Sequence, residues 1–231
     1  MIDTACVVGA GRLGNAVAAR LRERGVNVTT TGRQLEVGSP DLVLLCVPDR
    51  SIAEVAARVA PGPWVAHASG ATGLEALAPH ARRFSLHPLQ TFSRSRGPEQ
   101  LDGAYGALTA ETPEALAAAR ELAGLLGLVP FELADGDRAL YHAAGAIAAN
   151  FLVTLQRAAG RLYAEVGAPP EGLAPLLHRV IDNGFELTGP IARGDWETVS
   201  RHVAALEERA PDLLPLYRAM TAATVELAVE R

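Results

Sequence analysis

The chain has 231 residues and a formal net charge of −5, with 49% hydrophobic and 20% charged residues. This is the composition of an ordinary soluble globular protein with ample length for a buried core, and an acidic chain without a basic stripe is a poor nucleic-acid binder. The sequence has no run of about 18 apolar residues that predicts a membrane span and no expected signal peptide, so it favours a cytoplasmic protein without a membrane partner.

The first predicted strand, Thr4–Val8, runs into a glycine-rich turn that is followed by a helical pattern from Asn15 to Glu23. The turn has the spacing Gly-x-Gly-x-x-Gly, with Gly9, Gly11 and Gly14 at the three positions. In a dinucleotide-binding unit the first glycine makes the tight turn, the second lets the backbone approach a pyrophosphate, and the third lets helix and strand pack closely. The order of strand, motif and helix therefore predicts a dinucleotide site on the free N–H groups of the helix start.

The second predicted strand, Val26–Thr30, bears on which dinucleotide is bound. An NAD site usually places an Asp or Glu about 20 residues after the glycines to bind the ribose 2′-hydroxyl, whereas Glu36 lies too far into the loop. Thr31 and Arg33 instead offer a hydroxyl and a guanidinium, which suit a 2′-phosphate. The sequence therefore favours NADP(H), with Arg33 as a merely solvated arginine as the alternative.

Strands and helices continue to alternate up to residue 134. Further strands are predicted at Asp41–Val47, Trp64–Ala68, Ala81–Leu86, Ala104–Ala110 and Val129–Leu133, and helices at Ile52–Val59 and Pro113–Leu126. This alternation predicts an α/β fold with a doubly wound parallel Rossmann sheet. Cys6 and Cys46 fall in predicted strands one and three, which we expect strand two to separate, so buried free thiols fit better than a disulfide or a metal pair.

From Asp135 onward the pattern is helical. Arg138–Val166 contains no proline and is predicted as one long helix, with further helices at Glu171–Leu187, Trp196–Glu208 and Asp212–Glu230. We therefore expect a domain boundary at 134/135. Residues 1–134 would form an NADP-binding Rossmann domain, and residues 135–231 an all-helical domain for substrate binding and dimerisation.

Six segments together resemble a known family over nearly the whole chain: GAGRLG (9–14), VPD (47–49), HASG (67–70), SLHPLQTF (85–92), YHAAGAIAAN (141–150) and LTGPIARGD (187–195). They are similar to the Rossmann-like oxidoreductases whose C-terminal half is the domain of unknown function number 2520. Pyrroline-5-carboxylate reductases and ketopantoate reductases are wider relatives. The resemblance implies a Rossmann domain followed by a helical domain like the C-terminal domain of 6-phosphogluconate dehydrogenase, with the substrate between them and dimer contacts in the helical halves.

The resemblance does not extend to a specific activity. Ketopantoate-type reductases carry a catalytic lysine one turn before an asparagine on the first long helix; here Asn150 matches the asparagine, but the earlier position is Ala146. All 21 basic residues are in fact arginine. The stretch similar to SPGGTT in the proline-forming reductases is also missing from this sequence.

Reduction of a C=O or C=N bond by a nicotinamide needs a donor that stabilises the oxygen or nitrogen as charge builds. Without lysine, histidine is the best remaining acid near neutral pH. We expect His87, His142 and Asn150 to be catalytic, and Asn150 lies two turns after His142 on the same helix face. A structural role stays open for each of the three, and His67, after strand four, is a less favoured candidate.

The other candidate residues fall into two groups. The cofactor is expected to contact the glycine motif and the turns that follow strands two, three and four, at Gly9, Gly11, Arg12, Leu13, Gly14, Thr31, Arg33, Val47, Pro48 and Ser69. The substrate is expected at Gln90, Thr188 and Arg193, with Arg193 as a carboxylate clamp and Arg94 and Arg96 as rival clamps. No His, Cys or Glu group has metal-ligand spacing, so no metal is expected.

These patterns predict an NADP(H)-dependent oxidoreductase that reduces a small keto acid or cyclic imine and forms a homodimer through its helical half. The alternative is a non-catalytic dinucleotide-binding sensor or regulatory protein. The missing lysine keeps that alternative open. A purely structural dimer without dinucleotide binding is a third, weaker interpretation.

Overall fold

A computed structural model of the chain describes residues 1–32 and 34–229. The chain forms two compact units, residues 1–149 and the residues from 150 onward. The first contains a β-sheet with helices on both faces, and the second is helical. Each unit is described separately below.

A seven-stranded sheet forms the centre of the first unit. Its strands are β1 (Thr4–Val8), β2 (Asn27–Thr31), β3 (Leu42–Leu45), β4 (Trp64–His67), β5 (Arg83–Leu89), β6 (Tyr105–Ala110) and β7 (Val129–Glu132). Their order is β2-β1-β3-β4-β5-β6-β7, and all neighbours are parallel except β5 and β6. Since β2 and β3 lie on opposite sides of β1, the chain changes direction across the sheet at β1.

The helices of this unit cover both faces of the sheet. They are α1 (Arg12–Glu23), α2 (Ile52–Ala56), α3 (Pro113–Leu126) and α4 (Arg138–Gly145). Side chains of β1 alternate between two apolar cores, as a pleated strand requires: Ala5 and Val7 pack with α1 and α3, and Cys6 and Val8 pack with α2. The predicted doubly wound α/β fold is confirmed.

The sheet differs from the wholly parallel prediction at β6. The connection between β5 and β6 carries only a short helical turn at Pro98–Leu101. Parallel neighbours need a longer crossover, usually through a helix that packs on the sheet. β6 therefore returns antiparallel to β5, and this pairing extends β5 past its predicted end at Leu86 to Leu89.

The expected separation of the two cysteines by strand two is wrong. β1 and β3 are direct neighbours, and Cys6 lies opposite Val43 in the pairing. The error arises because β2 lies outside β1 instead of between the two strands. Cys6 is buried, Cys46 is half-buried, and both thiols are free.

The second unit is built from four α-helices. They are α5 (Leu152–Glu165), α6 (Leu173–Asp182), α7 (Trp196–Arg209) and α8 (Leu214–Val229). Asp195 caps α7 by accepting a hydrogen bond from the Thr198 N–H at 3.1 Å. Aspartate is one of the residues preferred at this position before a helix. Within residues 1–32 and 34–229, no helix combines the length and apolar character needed to cross a bilayer.

The predicted long helix is interrupted, and its first part belongs to the first compact unit. A π-helical segment, Ala146–Phe151, separates α4 from α5. The compact units divide at 149/150 instead of the predicted 134/135. The reason is that α4 bonds to the sheet unit through two side chains, Arg138 to the Ser69 carbonyl and Tyr141 to His87.

Candidate functional site

The glycine-rich turn between β1 and α1 has a geometry that only glycine tolerates at two positions. Gly9 has a φ of +112°, and a Cβ there would clash with the Cys46 carbonyl. A Cβ on Gly14 would clash with the Gly9 carbonyl, because α1 starts directly against the turn. Gly11, the N-cap of α1, is open instead: a Cβ there would meet no described heavy atom within 4 Å. The turn thus leaves its backbone accessible to a ligand.

A cavity of about 510 Å³ lies at the carboxyl ends of β1, β2 and β3. This is the point at which the chain reverses across the sheet, where open α/β sheets bind ligands. Three predicted cofactor residues, Gly9, Val47 and Pro48, belong to its lining. The described residues that line it are Val8, Gly9, Gly32, Leu35, Val47, Pro48, Ser51, Glu54, Val55 and Arg58.

Thr31 closes the loop that follows β2. Its hydroxyl donates to the Gln34 carbonyl at 2.5 Å and accepts from the Glu36 N–H at 3.3 Å. The next residue, Gly32, lines the cavity. Arg33 lies outside the described residues, so its contact with a 2′-phosphate stays a prediction.

Two of the candidate histidines, His87 and His142, come together beyond the end of β4. β4 ends at His67, whose partner on β5 is Ser85, so His87 projects two residues further along β5. The His87 and His142 rings lie 6.4 Å apart between centroids. Gly70 packs against both: a Cβ there would lie 2.9 Å from His87 Cε1 and 3.0 Å from His142 Cδ2.

Tyr141 is a partner of His87 that sequence reasoning missed. Its hydroxyl lies 2.7 Å from His87 Nδ1, and the two rings meet edge to face at 5.5 Å. Both side chains are half-buried. Burial raises the pKa of Tyr141, so the phenol keeps its proton. The only sequence signal was that Tyr141 precedes His142 in the YHAAG segment.

Both His67 and His87 are neutral at physiological pH. Burial lowers the pKa of His87 to about 4, helped by His142 and the charge of Arg138 and opposed by Asp49. Burial and Arg138 likewise lower the pKa of His67 to about 4. Neither is therefore a charged acid near neutral pH; a neutral imidazole can still donate from one nitrogen while accepting on the other.

Arg138 is a second residue that the sequence did not single out. It is 2% exposed, and its Nε donates to Asp135 Oδ1 at 2.7 Å. Its Nη1 donates to the Ser69 carbonyl at 3.1 Å, while Asp135 also accepts from the Leu74 N–H at 3.2 Å. This network ties α4 to the turn after β4. Nothing in one sequence marks a contact between residues 69 positions apart.

Ser69 uses its hydroxyl within its own turn. The Oγ accepts from the Ala71 and Thr72 N–H groups at 3.2 and 3.0 Å, and the Ser69 N–H donates to His67 Nδ1 at 3.3 Å. The side chain therefore holds the turn that carries Gly70. A contact of Ser69 with a cofactor stays a prediction.

The remaining predicted residues are placed as follows. Arg12 and Leu13 form the first turn of α1, and Arg12 is exposed. Gln90 is exposed and accepts from the Thr91 N–H at 2.8 Å. Among the residues that the structure describes, no group of three or more His, Cys, Asp and Glu side chains could hold a metal.

Three predicted residues belong to the second unit, where Asn150, Thr188 and Arg193 are all exposed. Asn150 lies in the π-helical segment, and its carbonyl accepts from Thr154 Oγ1 at 3.2 Å. This segment replaces the regular α-helical spacing from which we predicted a shared face for His142 and Asn150. The basis of that prediction is therefore wrong, and the roles of the three residues stay predictions.

Comparison with known proteins identifies two regions. Residues 104–224 match the family described as Domain of unknown function (DUF2520), and residues 15–91 match a Rossmann-like domain. No curated protein matches the chain.

Several solved structures share the fold. One is a Bacteroides fragilis protein named "putative NADP oxidoreductase", with a TM-score of 0.83 and 20% identity over 97% of this chain and 98% of that chain. Another is a Thermotoga maritima protein, with a TM-score of 0.75 and 25% identity over 98% of each chain. The 1-pyrroline-5-carboxylate reductase of Streptococcus pyogenes has a TM-score of 0.63 and 14% identity over 99% of this chain and 98% of that one.

Proposed function

The chain belongs to the family described as Domain of unknown function (DUF2520), and from this premise we propose that it is an NADP(H)-dependent oxidoreductase. One observation carries the proposal. The glycine turn with its cavity and the paired His87 and Tyr141 lie at the carboxyl ends of the mutually parallel strands β1 to β5 of one sheet. The names of similar folds, an NADP oxidoreductase and a pyrroline-5-carboxylate reductase, support it.

The residues present fit a dinucleotide. The positive φ of Gly9 and the open position at Gly11 leave backbone N–H groups of the α1 start exposed to a pyrophosphate. The adjoining cavity offers apolar walls, including Leu35 and Val55, for an adenine ring. When bound there, the coenzyme would supply or accept a hydride, and the protein would supply position and electrostatics.

The choice of NADP(H) over NAD(H) rests on a hydroxyl and a guanidinium that come at the end of the β2 segment of the sequence. Thr31 and Arg33 are the proposed contacts for the 2′-phosphate, and Arg58 adds a second guanidinium at the cavity wall. Glu54 lines the same cavity and is the carboxylate that would serve a ribose hydroxyl instead. Direct comparison of NADPH and NADH binding therefore tests this part of the proposal.

We assign His87 as the hydrogen-bond donor to the reacting oxygen or nitrogen. If the Tyr141 hydroxyl donates to Nδ1, the neutral imidazole carries its proton on Nε2, which then faces away from Tyr141. A neutral donor can stabilise developing negative charge without becoming charged first. His142 and Gly70 shape the space around this ring. Asn150, Gln90, Thr188 and Arg193 are the proposed substrate contacts.

The proposed substrates are small keto acids and cyclic imines. The test is the loss of NADPH absorbance across a panel of both classes, with His87→Ala as the control. We expect the wild type to turn over at least one substrate of the panel, and we expect His87→Ala to turn over that substrate more slowly. Tight NADPH binding without turnover on any carbonyl or imine would contradict the enzyme proposal.

That result would favour the second candidate, a dinucleotide-binding sensor. The observation behind it is the pKa of His87, about 4, in a chain without lysine. His87 is then not a charged acid at neutral pH, and no lysine can take its place. A sensor should bind the dinucleotide and change its stability without consuming it.

We further propose a homodimer through the second unit. This unit exposes large apolar side chains that a monomer rarely leaves in water, and few of its residues are buried. The exposed set includes Val153, Val166, Leu176, Ile181 and Phe185. Light scattering should give twice the chain mass of 24.2 kDa; a monomer at micromolar concentration would contradict this.

A further inference from the structure

A second groove in the first unit shares no residue with the cavity described above. It has a volume of about 440 Å³ and lies between α1 and the loop that precedes β6. Among the described residues, its lining has three arginines and no carboxylate. The lining is Ala10, Arg12, Asn15, Ala16, Ala19, Ser93, Arg94, Arg96, Gly97 and Pro98.

The three arginines form a local excess of positive charge in a chain of net charge −5. Among the described residues, Arg12 and Arg94 make no ion pair or side-chain hydrogen bond, and Arg96 has only a 3.8 Å contact with Glu99. An exposed pair at that distance contributes little. Like charges gathered in one groove repel each other, and an anion bound between them offsets this repulsion.

The loop that carries two of these arginines is held in a fixed shape by Gln100. The Gln100 side chain is 5% exposed, and its Oε1 accepts from the Ser93 N–H at 2.7 Å. Its Nε2 donates to the Arg96 and Gly97 carbonyls at 3.0 and 2.9 Å. A buried amide with this many backbone bonds fixes the loop conformation. Arg94 and Arg96 therefore extend from a preorganised backbone.

The opposite wall of the groove is α1. Arg12 is the first residue of α1, so its positive charge is on the residue at the positive end of the helix dipole. Ala16 and Ala19 are small and leave room between helix and loop. The ion pair of Arg20 with Asp102, at 2.8 Å, fixes the far end of the loop to α1.

We propose that this arginine groove, formed by Arg12, Arg94 and Arg96, is a binding site for a phosphate group. Guanidinium forks match phosphate oxygens in a bidentate manner, and the preorganised loop reduces the entropy lost on binding. The phosphate could belong to the dinucleotide itself or to a separate phosphorylated small molecule. The groove shares no lining residue with the cavity assigned to the dinucleotide, so binding of inorganic phosphate can be tested whether or not the chain has oxidoreductase activity.

The test is calorimetric titration of the whole protein with inorganic phosphate at low ionic strength, where charge interactions are least screened. Arg94→Gln and Arg96→Gln should each weaken phosphate binding about five- to tenfold. Arg24→Gln is the matched control, because Arg24 is exposed and lies just after the other end of the same helix. Equal phosphate affinity in all four proteins, or no binding to the wild type, would overturn the proposal.

A repeat at saturating NADPH distinguishes the two sources of phosphate. If the site serves a separate ligand, phosphate still binds and Arg94→Gln leaves NADPH affinity unchanged. If the site holds a phosphate of the dinucleotide, NADPH displaces inorganic phosphate and Arg94→Gln weakens NADPH. Both results support the anion site and assign its ligand.

Gln100→Leu tests whether the loop must be preorganised. Gln100 is buried and cannot touch the anion. If this substitution weakens phosphate binding, it does so by changing the conformation of the loop backbone. We expect a loss comparable to that of Arg94→Gln, with a cooperative thermal transition that shows an intact fold. A folded variant with wild-type phosphate affinity would overturn the role of the loop.

Discussion

His87 Nδ1 on β5 and the Tyr141 hydroxyl on α4 lie 2.7 Å apart, although the two residues are separated by 54 positions in sequence. The bond fixes the orientation of an imidazole whose pKa is too low for a charged acid. When the Tyr141 hydroxyl donates to Nδ1, the neutral imidazole carries its proton on Nε2 and presents it to a ligand there. Any reaction at this sheet edge should depend on that tautomer.

Tyr141→Phe removes the hydroxyl and keeps the ring. Without the bond to Nδ1, His87 can rotate and exchange tautomers, so we expect kcat to fall about ten- to a hundredfold with little change in KM. Steady-state kinetics with an active substrate would measure this. Tyr105→Phe is the control, because its exposed ring packs on Phe131. Equal kcat in both variants would contradict a role for the Tyr141 hydroxyl.

Gly70→Ala places a methyl group against two imidazoles. The new Cβ would lie 2.9 Å from His87 and 3.0 Å from His142, closer than carbon atoms pack, so the rings must move by several tenths of an ångström. We expect at least an approximately tenfold loss of kcat/KM, since small displacements of reacting groups are costly. Gly136→Ala, where the methyl meets open space, should keep full activity; similar losses in both would sink the prediction.

Much of the first unit could be predicted from sequence, because its signals are local. β1 and α3 were predicted with their observed ends, since an apolar run before a glycine motif and a Thr-Pro helix start are short-range patterns. That His87 and His142 lie near each other agrees with their predicted positions, after strand five and near the start of the long helix. The order of strands was not local information, and this is why the expected separation of Cys6 and Cys46 was wrong.

What the sequence did not reveal depends on contacts between distant residues. Arg138 reaches the turn after β4, Tyr141 reaches β5, and neither contact has a periodic or motif signal. The π-helical segment was also missed, because its residues, alanine-rich and without proline, are equally compatible with an α-helix. The boundary at 134/135 was placed where strands end, while the packing of α4 on the sheet places the division at 149/150.

Arg138→Met replaces a buried guanidinium with an apolar chain of similar length. The Ser69 carbonyl and Asp135 lose their donor, so we expect the free energy of unfolding to fall by about 2 kcal/mol. Denaturant titration would measure the loss. Arg161→Met, which breaks an exposed pair with Asp212, should cost much less. A smaller effect for Arg138 than for Arg161 would show that the buried network does not stabilise the fold.

Stability should depend on pH through His67. Its pKa falls from 6.5 to about 4 on folding, so the unfolded chain binds protons that the native state does not. The native state should therefore lose roughly 3 kcal/mol on this account as the pH falls from 6.5 to 4. Urea titrations at several pH values would show it. His67→Asn should reduce the slope in this window, where the contribution of His87 remains, and the exposed His178→Asn should not; curves of equal slope for His67→Asn and wild type would contradict the assignment.

Arg33→Glu tests the coenzyme preference. If the guanidinium binds the 2′-phosphate, a carboxylate at that position repels it, and NADPH affinity should fall by about tenfold or more while NADH affinity changes little. Fluorescence titration with each reduced coenzyme measures the two affinities. Arg24→Glu makes the same charge change at an exposed position past the end of α1 and should affect neither selectively. Equal losses for NADPH and NADH would mean that Arg33 does not contact the phosphate, and Glu54 would then become the candidate ribose ligand of an NAD site.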